Sequence, residues 1–467
     1  MSDPCLLPLA EQARLIASGE LSSVALTQGC LDRIERLDGQ LHSFFTVAAE
    51  TALSDASAAD QQTGPRGPLH GLPIGIKDLI DVAGLPTTAG AAHRLDHLAA
   101  TDAPVVAALR RAGAVILGKT ATAEYAVGGT ALDGPFPAPR NPWNTDCDAA
   151  SSSSGSAVAT AAGLCAGAVG TETAGSIRVP AAWCGVAGLV PTQALISRRG
   201  VLALSRTVDC IGPMARSAAD CALLLQGMIT ADAADRATPG FRLPDPGRPG
   251  RGIAGLRIGI PRHVFEDDPD LDPQVRAAFA VTLDQLRSLG AVLSDVRLPG
   301  YDGWADAARA ITWPEEYAEH GAELRAHPER LGKVARSRLQ EGLRFTAPDH
   351  ALALRARQVA IATLGETFQS ADLLVLPTTK APAQPFGWEH RPGARDWSYT
   401  RAFNLTGNPA LTICNGLSAA DLPLAVQFIG RWFDEDLVLA AGMAVEALAP
   451  APRPPADRRP ARPGKVD

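Results

Sequence analysis

Between Ala149 and Thr192 the chain reads AASSSSGSAVATAAGLCAGAVGTETAGSIRVPAAWCGVAGLVPT. Two sets of hydroxyls stand out: the run Ser151 to Ser154, and Ser176 inside Thr-Ala-Gly-Ser-Ile-Arg. A hydroxyl is a weak nucleophile until a neighbouring base takes its proton, so Ser176 needs a partner that the fold brings close. Thr173, Ala174 and Gly175 before it are small, as they would be if their backbone N–H groups converged on an oxyanion. That chemistry is acyl transfer. On local composition alone, the stretch reads first as a glycine-rich turn with an incidental serine.

Longer motifs shift the balance. Four blocks follow one another: Gly71-Leu72-Pro73-Ile74-Gly75-Ile76-Lys77-Asp78, Ala150-Ser151-Ser152-Ser153-Ser154-Gly155-Ser156, Gly170 to Pro180, and Cys184 to Thr192. They resemble the signature of the amidase signature family of serine hydrolases, and the resemblance extends over residues 5–448. It implies an α/β fold, a central mixed β-sheet covered on both faces by α-helices. It also implies a Ser–cis-Ser–Lys triad with Ser176 as nucleophile, Ser152 as bridging serine at a cis peptide, and Lys77 as base. Anchoring on Gly155-Ser156 selects Ser152, 24 residues before Ser176, with Ser151 and Ser153 as alternatives. The oxyanion hole would be the N–H groups of Thr173, Ala174, Gly175 and Ser176, and Ser153, Glu172 and Arg178 would support the site. Ala150, Ser151, Ser154 and Ala174 stand where the family has glycine, Glu172 where Asp is usual, and Val190 where Lys is common. The first of these add bulk beside the oxyanion loop.

A lysine acts as a base only when neutral, which requires burial or a nearby cation. Leu72, Ile74 and Ile76 before Lys77, with Leu79 and Ile80 after it, supply burial; Asp78 points away or anchors the turn. Neutral Lys77 would draw a proton from Ser152, Ser152 one from Ser176, and the relay would run backwards to protonate the leaving nitrogen. Glu172 and Arg178 form an ion pair bracing the nucleophile turn in this reading.

The resemblance implies an amidohydrolase cleaving an amide, anilide or carbamate without metal or cofactor. Its rivals are the glutaminase (A-type) subunit of a tRNA-dependent amidotransferase and a urea-like (allophanate or biuret-type) amidohydrolase. A third rival is written in the letters Gly113-Ala114-Val115-Ile116-Leu117-Gly118-Lys119-Thr120, which satisfy the P-loop pattern. A phosphate cradle needs free N–H groups in a loop, whereas Ala-Val-Ile-Leu reads as a strand following a helix, so the match is set aside. The net charge of −7 argues against nucleic acid as a partner. No apolar run is long enough to span a membrane and no signal segment stands at the N-terminus, so the expectation is a cytoplasmic monomer or homodimer. The eight cysteines lack C-x-x-C pairs and metal spacing. His93 and His97 lack the glutamate and third ligand of a zinc site and read as a surface pair.

These residues need elements to hold them. The sequence predicts helices over 5–62, one capped by Ser22 or Ser23 and ended by Gly39, then a loop at 61–68 and the Lys77 strand. A helix from Asp102 to Gly113 leads to the strand Ala114–Leu117; a helix from Ser156 to Gly163 leads to the strand Ala166–Thr171. Ser217 caps a helix, 231–252 is a surface loop, and strand–helix–strand alternation follows at 256–293. Residues 1–449 read as one amidase domain, with a signature core at 71–192, a variable pocket region at 300–400 and a disordered Pro/Arg-rich tail at 450–467. Within the variable region Trp304, Trp313, Tyr317 and Trp388 are candidates to line a substrate pocket, though aromatics at helical spacing more often belong to a core.

Overall fold

Runs of apolar and small residues with polar residues at most at their ends must be covered on both sides, because successive strand residues face opposite ways. PIGIK at 73–77, VILGKT at 115–120, GAVGTE at 167–172 and LLVLP at 373–377 are such runs, and every residue in them is buried. A computed structural model describes residues 3–64, 66–229, 232, 234–235, 252–388, 397–449, 452 and 454. The tail expected from 450 onward and the loop expected at 231–252 lie outside these residues except at their few described positions.

Eleven strands form one mixed sheet: β1 Phe44–Val47, β2 Pro73–Lys77, β3 Val115–Thr120, β4 Gly167–Glu172, β5 Ala187–Val190, β6 Cys210–Ala215, β7 Arg257–Ile260, β8 Val292–Asp295, β9 Leu373–Pro377, β10 Ala410–Leu417 and β11 Pro423–Ile429. Their order is β1-β3-β2-β4-β6-β5-β10-β11-β9-β7-β8. β3, β2 and β4 run parallel, as do β9, β7 and β8, and the pairs between and outside these trios are antiparallel. The main apolar core lies along this sheet, where helices bury both of its faces.

The N-terminal segment corrects one expectation. Residues 5–62 are not helical throughout, because β1 interrupts them. The helix Ser23–Leu41, capped by Ser22, runs past Gly39 and is closed by Asp38, whose carboxylate accepts from the amides of Ser43 and Phe44 at 2.7 and 3.1 Å. Phe44-Phe45-Thr46-Val47, aromatic and β-branched, then pairs with β3. The Gly113–Thr120 match lies in a turn and strand: Lys119 is inside β3, its Nζ 2.8 Å from Asp78 Oδ1, and both side chains are fully buried. Asp78 thus faces inward, and its other oxygen accepts from the Thr88 amide at 3.0 Å, anchoring the turn.

Candidate active site

Lys77 ends β2, which lies between β3 and β4, so its amine emerges between paired strands with no exposed surface. Four oxygens surround Nζ: Ser152 Oγ at 2.8 Å, Ser153 Oγ at 2.9 Å, Thr171 Oγ1 at 2.8 Å and the Thr171 carbonyl at 3.2 Å. Burial holds the amine well below the usual lysine range, against the opposing pull of the Asp209 and Glu172 charges. Ser153 Oγ donates to the Thr171 carbonyl at 3.0 Å and accepts from the Thr171 amide at 3.2 Å. It therefore takes an N–H from Lys77 as a second acceptor bond. A neutral amine has one more N–H for Thr171 and a lone pair, which the Ser152 hydroxyl can fill by donating.

The serine run is placed by the helix Ser154–Ala161, all of it buried. Gly155 is obligatory there: a Cβ would lie 2.3 Å from the Ala121 nitrogen and 2.4 Å from the Ser43 carbonyl oxygen. The Ser151–Ser152 peptide is cis, and Ala150 before it has a left-handed φ of 63°. Ser153 N–H donates to the Ser176 carbonyl at 3.0 Å, bringing the two serine segments together.

In the loop Thr173–Ser176 the carbonyls of Ala174, Gly175 and Ser176 are tied down. Thr400 Oγ1 donates to Ala174 at 3.1 Å, and the Val179 amide donates to Gly175 at 2.8 Å. The amides of Ile177 and Arg178 are consumed by Glu172 Oε2, each at 2.8 Å. Among the described residues the amides of Ala174, Gly175 and Ser176 have no acceptor. Such a row of unpaired N–H groups can hold an oxyanion. Gly175, with φ of 124°, leaves room for the Thr400 hydroxyl, 2.5 Å from where a Cβ would stand.

Glu172 and Arg178 form a fully buried ion pair, with Arg178 Nε and Nη2 on Oε1 at 2.8 and 2.5 Å. Arg178 continues to Gln427, the Thr400 carbonyl and Asn404 at 2.7, 2.9 and 2.7 Å, so residues far along the chain fix the turn. Thr171, Asp209 and Thr400 are not among the residues that the sequence singles out. Thr171 stands in β4, which pairs parallel with β2, so its place beside Lys77 comes from strand pairing rather than from a motif. Asp209 carries no motif. Its carboxyl accepts from Thr173 Oγ1 at 2.5 Å and from the Leu204 and Ser205 amides at 2.8 and 2.9 Å, and burial raises its pKa to about 6.

Ser176, part-exposed, opens on a cleft of about 540 Å³. Trp313 and Trp388, two of the four candidates, are on its wall, and Trp397 joins them. Trp304 and Tyr317 are elsewhere: Trp304 is buried in the core against Tyr301, and Tyr317 packs on a second apolar cluster under Arg325. The helix Trp304–Ala326 turns Trp304 to the core and Trp313 to the cleft, where Arg338 stacks on its ring at 3.6 Å. His93 and His97 are both exposed, as a surface pair would be, and His93 Nε2 lies 2.8 Å from Tyr125 Oη. No metal-binding cluster and no membrane-spanning helix occur among the described residues.

A family model described as Amidase matches residues 25–439. The chain belongs to the amidase family. The Mycobacterium tuberculosis protein called amidase AmiD is 37% identical over 95% of this amidase and 94% of its own length. The A-type subunit of a Roseiflexus glutamyl-tRNA(Gln) amidotransferase is 34% identical over 95% and 96%. The solved native peptide amidase of Stenotrophomonas maltophilia superposes with a TM-score of 0.82 at 32% identity, covering 96% of this chain and 98% of that one. This amidase is accordingly a hydrolase acting on carbon–nitrogen bonds.

Proposed function

We propose that this amidase hydrolyses a small amide, anilide or carbamate through an ester on Ser176, with Lys77 as base and Ser152 as the bridging acid–base. The observation that carries the reading is the buried Lys77 amine, its pKa lowered by that burial, 2.8 Å from Ser152 Oγ, beside a loop whose unpaired amides flank Ser176. Lys77 takes the Ser152 proton as Ser152 takes that of Ser176, and Ser176 Oγ attacks the carbonyl carbon. The oxyanion rests on the amides of Ala174, Gly175 and Ser176, with Thr173 at the start of the loop. The relay returns the proton to the nitrogen as the C–N bond breaks, and water then hydrolyses the ester by the same route. A carbamate follows the same path and afterwards loses carbon dioxide. Ser153 and Thr171 orient the amine, and Glu172 and Arg178 hold the loop.

A fluorophosphonate probe tests this directly. The expected result is one adduct on Ser176, located by peptide mass spectrometry and suppressed in Lys77→Ala and Ser176→Ala; an adduct elsewhere overturns the assignment. The relatives named as amidotransferase components favour a second reading, a glutaminase working within a complex. Turnover of an anilide by the purified chain alone, with glutamine left intact, decides against it.

A further inference from the structure

Behind the nucleophile loop lies a second cavity, of about 250 Å³. It shares Ala126, Thr173 and Leu204 with the main cleft, so the two spaces adjoin at these three residues. Leu79, Val201, Leu202, Leu204 and Ile211 make its walls apolar. The arginines at its rim are engaged elsewhere: Arg198 Nη1 donates to the Arg206 carbonyl at 2.6 Å, Arg199 pairs with Asp232 at 2.9 Å and Arg206 with Glu319 at 2.6 Å. Asp209 turns its carboxyl to Thr173 and to the amides of Leu204 and Ser205. A cavity of ~150 Å³ lined by such side chains accepts benzene, so this one has room for an aromatic ring.

The direction of the relay says which half of the substrate meets it. Around the tetrahedral carbon, the oxygen points to the loop amides and the nitrogen must face the groups that return the proton. Those groups are Ser152 and Lys77, and the residue that lines the second cavity while touching Lys77 is Thr171. The acyl substituent is left with the open cleft walled by Trp313, Trp388 and Trp397.

We propose that the second cavity is the subsite for the amine half of the substrate, making this a hydrolase of secondary amides or carbamates whose nitrogen carries an apolar group of aniline size. The inference rests on the Ser176–Ser152–Lys77 reading. In the acylation step the bond from Ser176 Oγ to carbon forms, the C–N bond breaks, and the nitrogen gains the proton that Ser176 lost. The amine leaves neutral, which suits an apolar pocket, and water later releases the acid.

The test compares an anilide and the primary amide of the same acid in the wild type, Val201→Phe and Leu202→Phe, which fill the cavity away from Ser176. Fluorophosphonate labelling of Ser176 runs alongside. The expected result is a wild-type preference for the anilide and a fall of about 10-fold or more in its kcat/KM in the filled variants. The primary amide and the labelling rate should stay within about 2-fold. Equal losses for both amides with labelling intact, or losses that follow the size of the acid, overturn the proposal. A wild type that prefers the primary amide does so too. Failure of labelling in the wild type instead removes the triad reading beneath it. If neither filled variant folds, Leu204→Ala replaces them: a shift of preference towards naphthyl over phenyl amines supports the subsite, and an unchanged ratio overturns it.

Discussion

Lys77 is the residue on which the proposed chemistry turns, and its titration gives a signed expectation. Burial holds its folded pKa well below 10.5, so between the two values the unfolded chain carries a proton that the folded chain lacks. Stability from this group therefore rises with pH across that window and is lost as pH falls. Lys77→Met removes the term. Denaturation of the two proteins from pH 7 to pH 10 should show wild-type stability gaining on the variant as pH rises; parallel curves would mean that the amine is charged when folded. The rate should fall on the acid side as Lys77 protonates, and the variant should show no turnover at any pH. At this scale the sequence is most informative, because Lys77, Ser152 and Ser176 stand in motifs. Thr171 and Asp209 stay hidden because a threonine in a strand and an aspartate after a loop acquire meaning only from what lies across from them.

Among the elements, the helix Ser154–Ala161 shows how little tolerance the site has. Gly155→Ala forces a Cβ onto two backbone atoms that belong to different segments, so neither can move alone. Overpacking of this kind costs about 1–3 kcal/mol or more, and a drop of several degrees in melting temperature with lost labelling of Ser176 is expected. An unchanged melting temperature would show that Ala121 or Ser43 yields. A gentler case is Glu446, in the helix Glu435–Leu448, which accepts from the Ala218 amide at the start of the helix Ala218–Met228. Burial raises its pKa from 4.5 to about 8. The folded state thus favours the protonated acid, and stability is lost as pH rises from about 4.5 towards 8. Glu446→Gln keeps the acceptor without the charge, so its melting temperature should exceed that of wild type at pH 8 and match it near pH 4; the reverse order would show that the carboxylate is stabilised as a helix cap. The strands and helices of the signature region are legible from apolar runs bounded by Gly and Pro. β1 is not, because four residues between helices give no period, and its pairing with β3 decides it.

Across the whole molecule, strands from residues 44–215 occupy one end of the sheet and strands from 257–429 the other. They meet only where β5 pairs with β10, Val190 opposite Ala410. Sequence patterning foretells an α/β sheet but not this division, since strand order depends on contacts between residues hundreds of positions apart. Lys77, Ser152 and Ser176 all belong to the first half. The groups that steady the Ser176 loop, Gln427, Asn404 and Thr400, belong to the second. The reacting side chains and the outer part of the brace that aims them are thus inherited on separate stretches of polypeptide. A gene cut between Asp235 and Gly252 would yield one fragment that owns every proposed reactive group and the Glu172–Arg178 pair yet lacks the residues that anchor Arg178 and the Ala174 carbonyl. Neither fragment alone should take up the fluorophosphonate, and the two expressed together should regain it, so that labelling becomes a readout of reassembly; uptake by the first fragment alone would show that the loop holds its own shape.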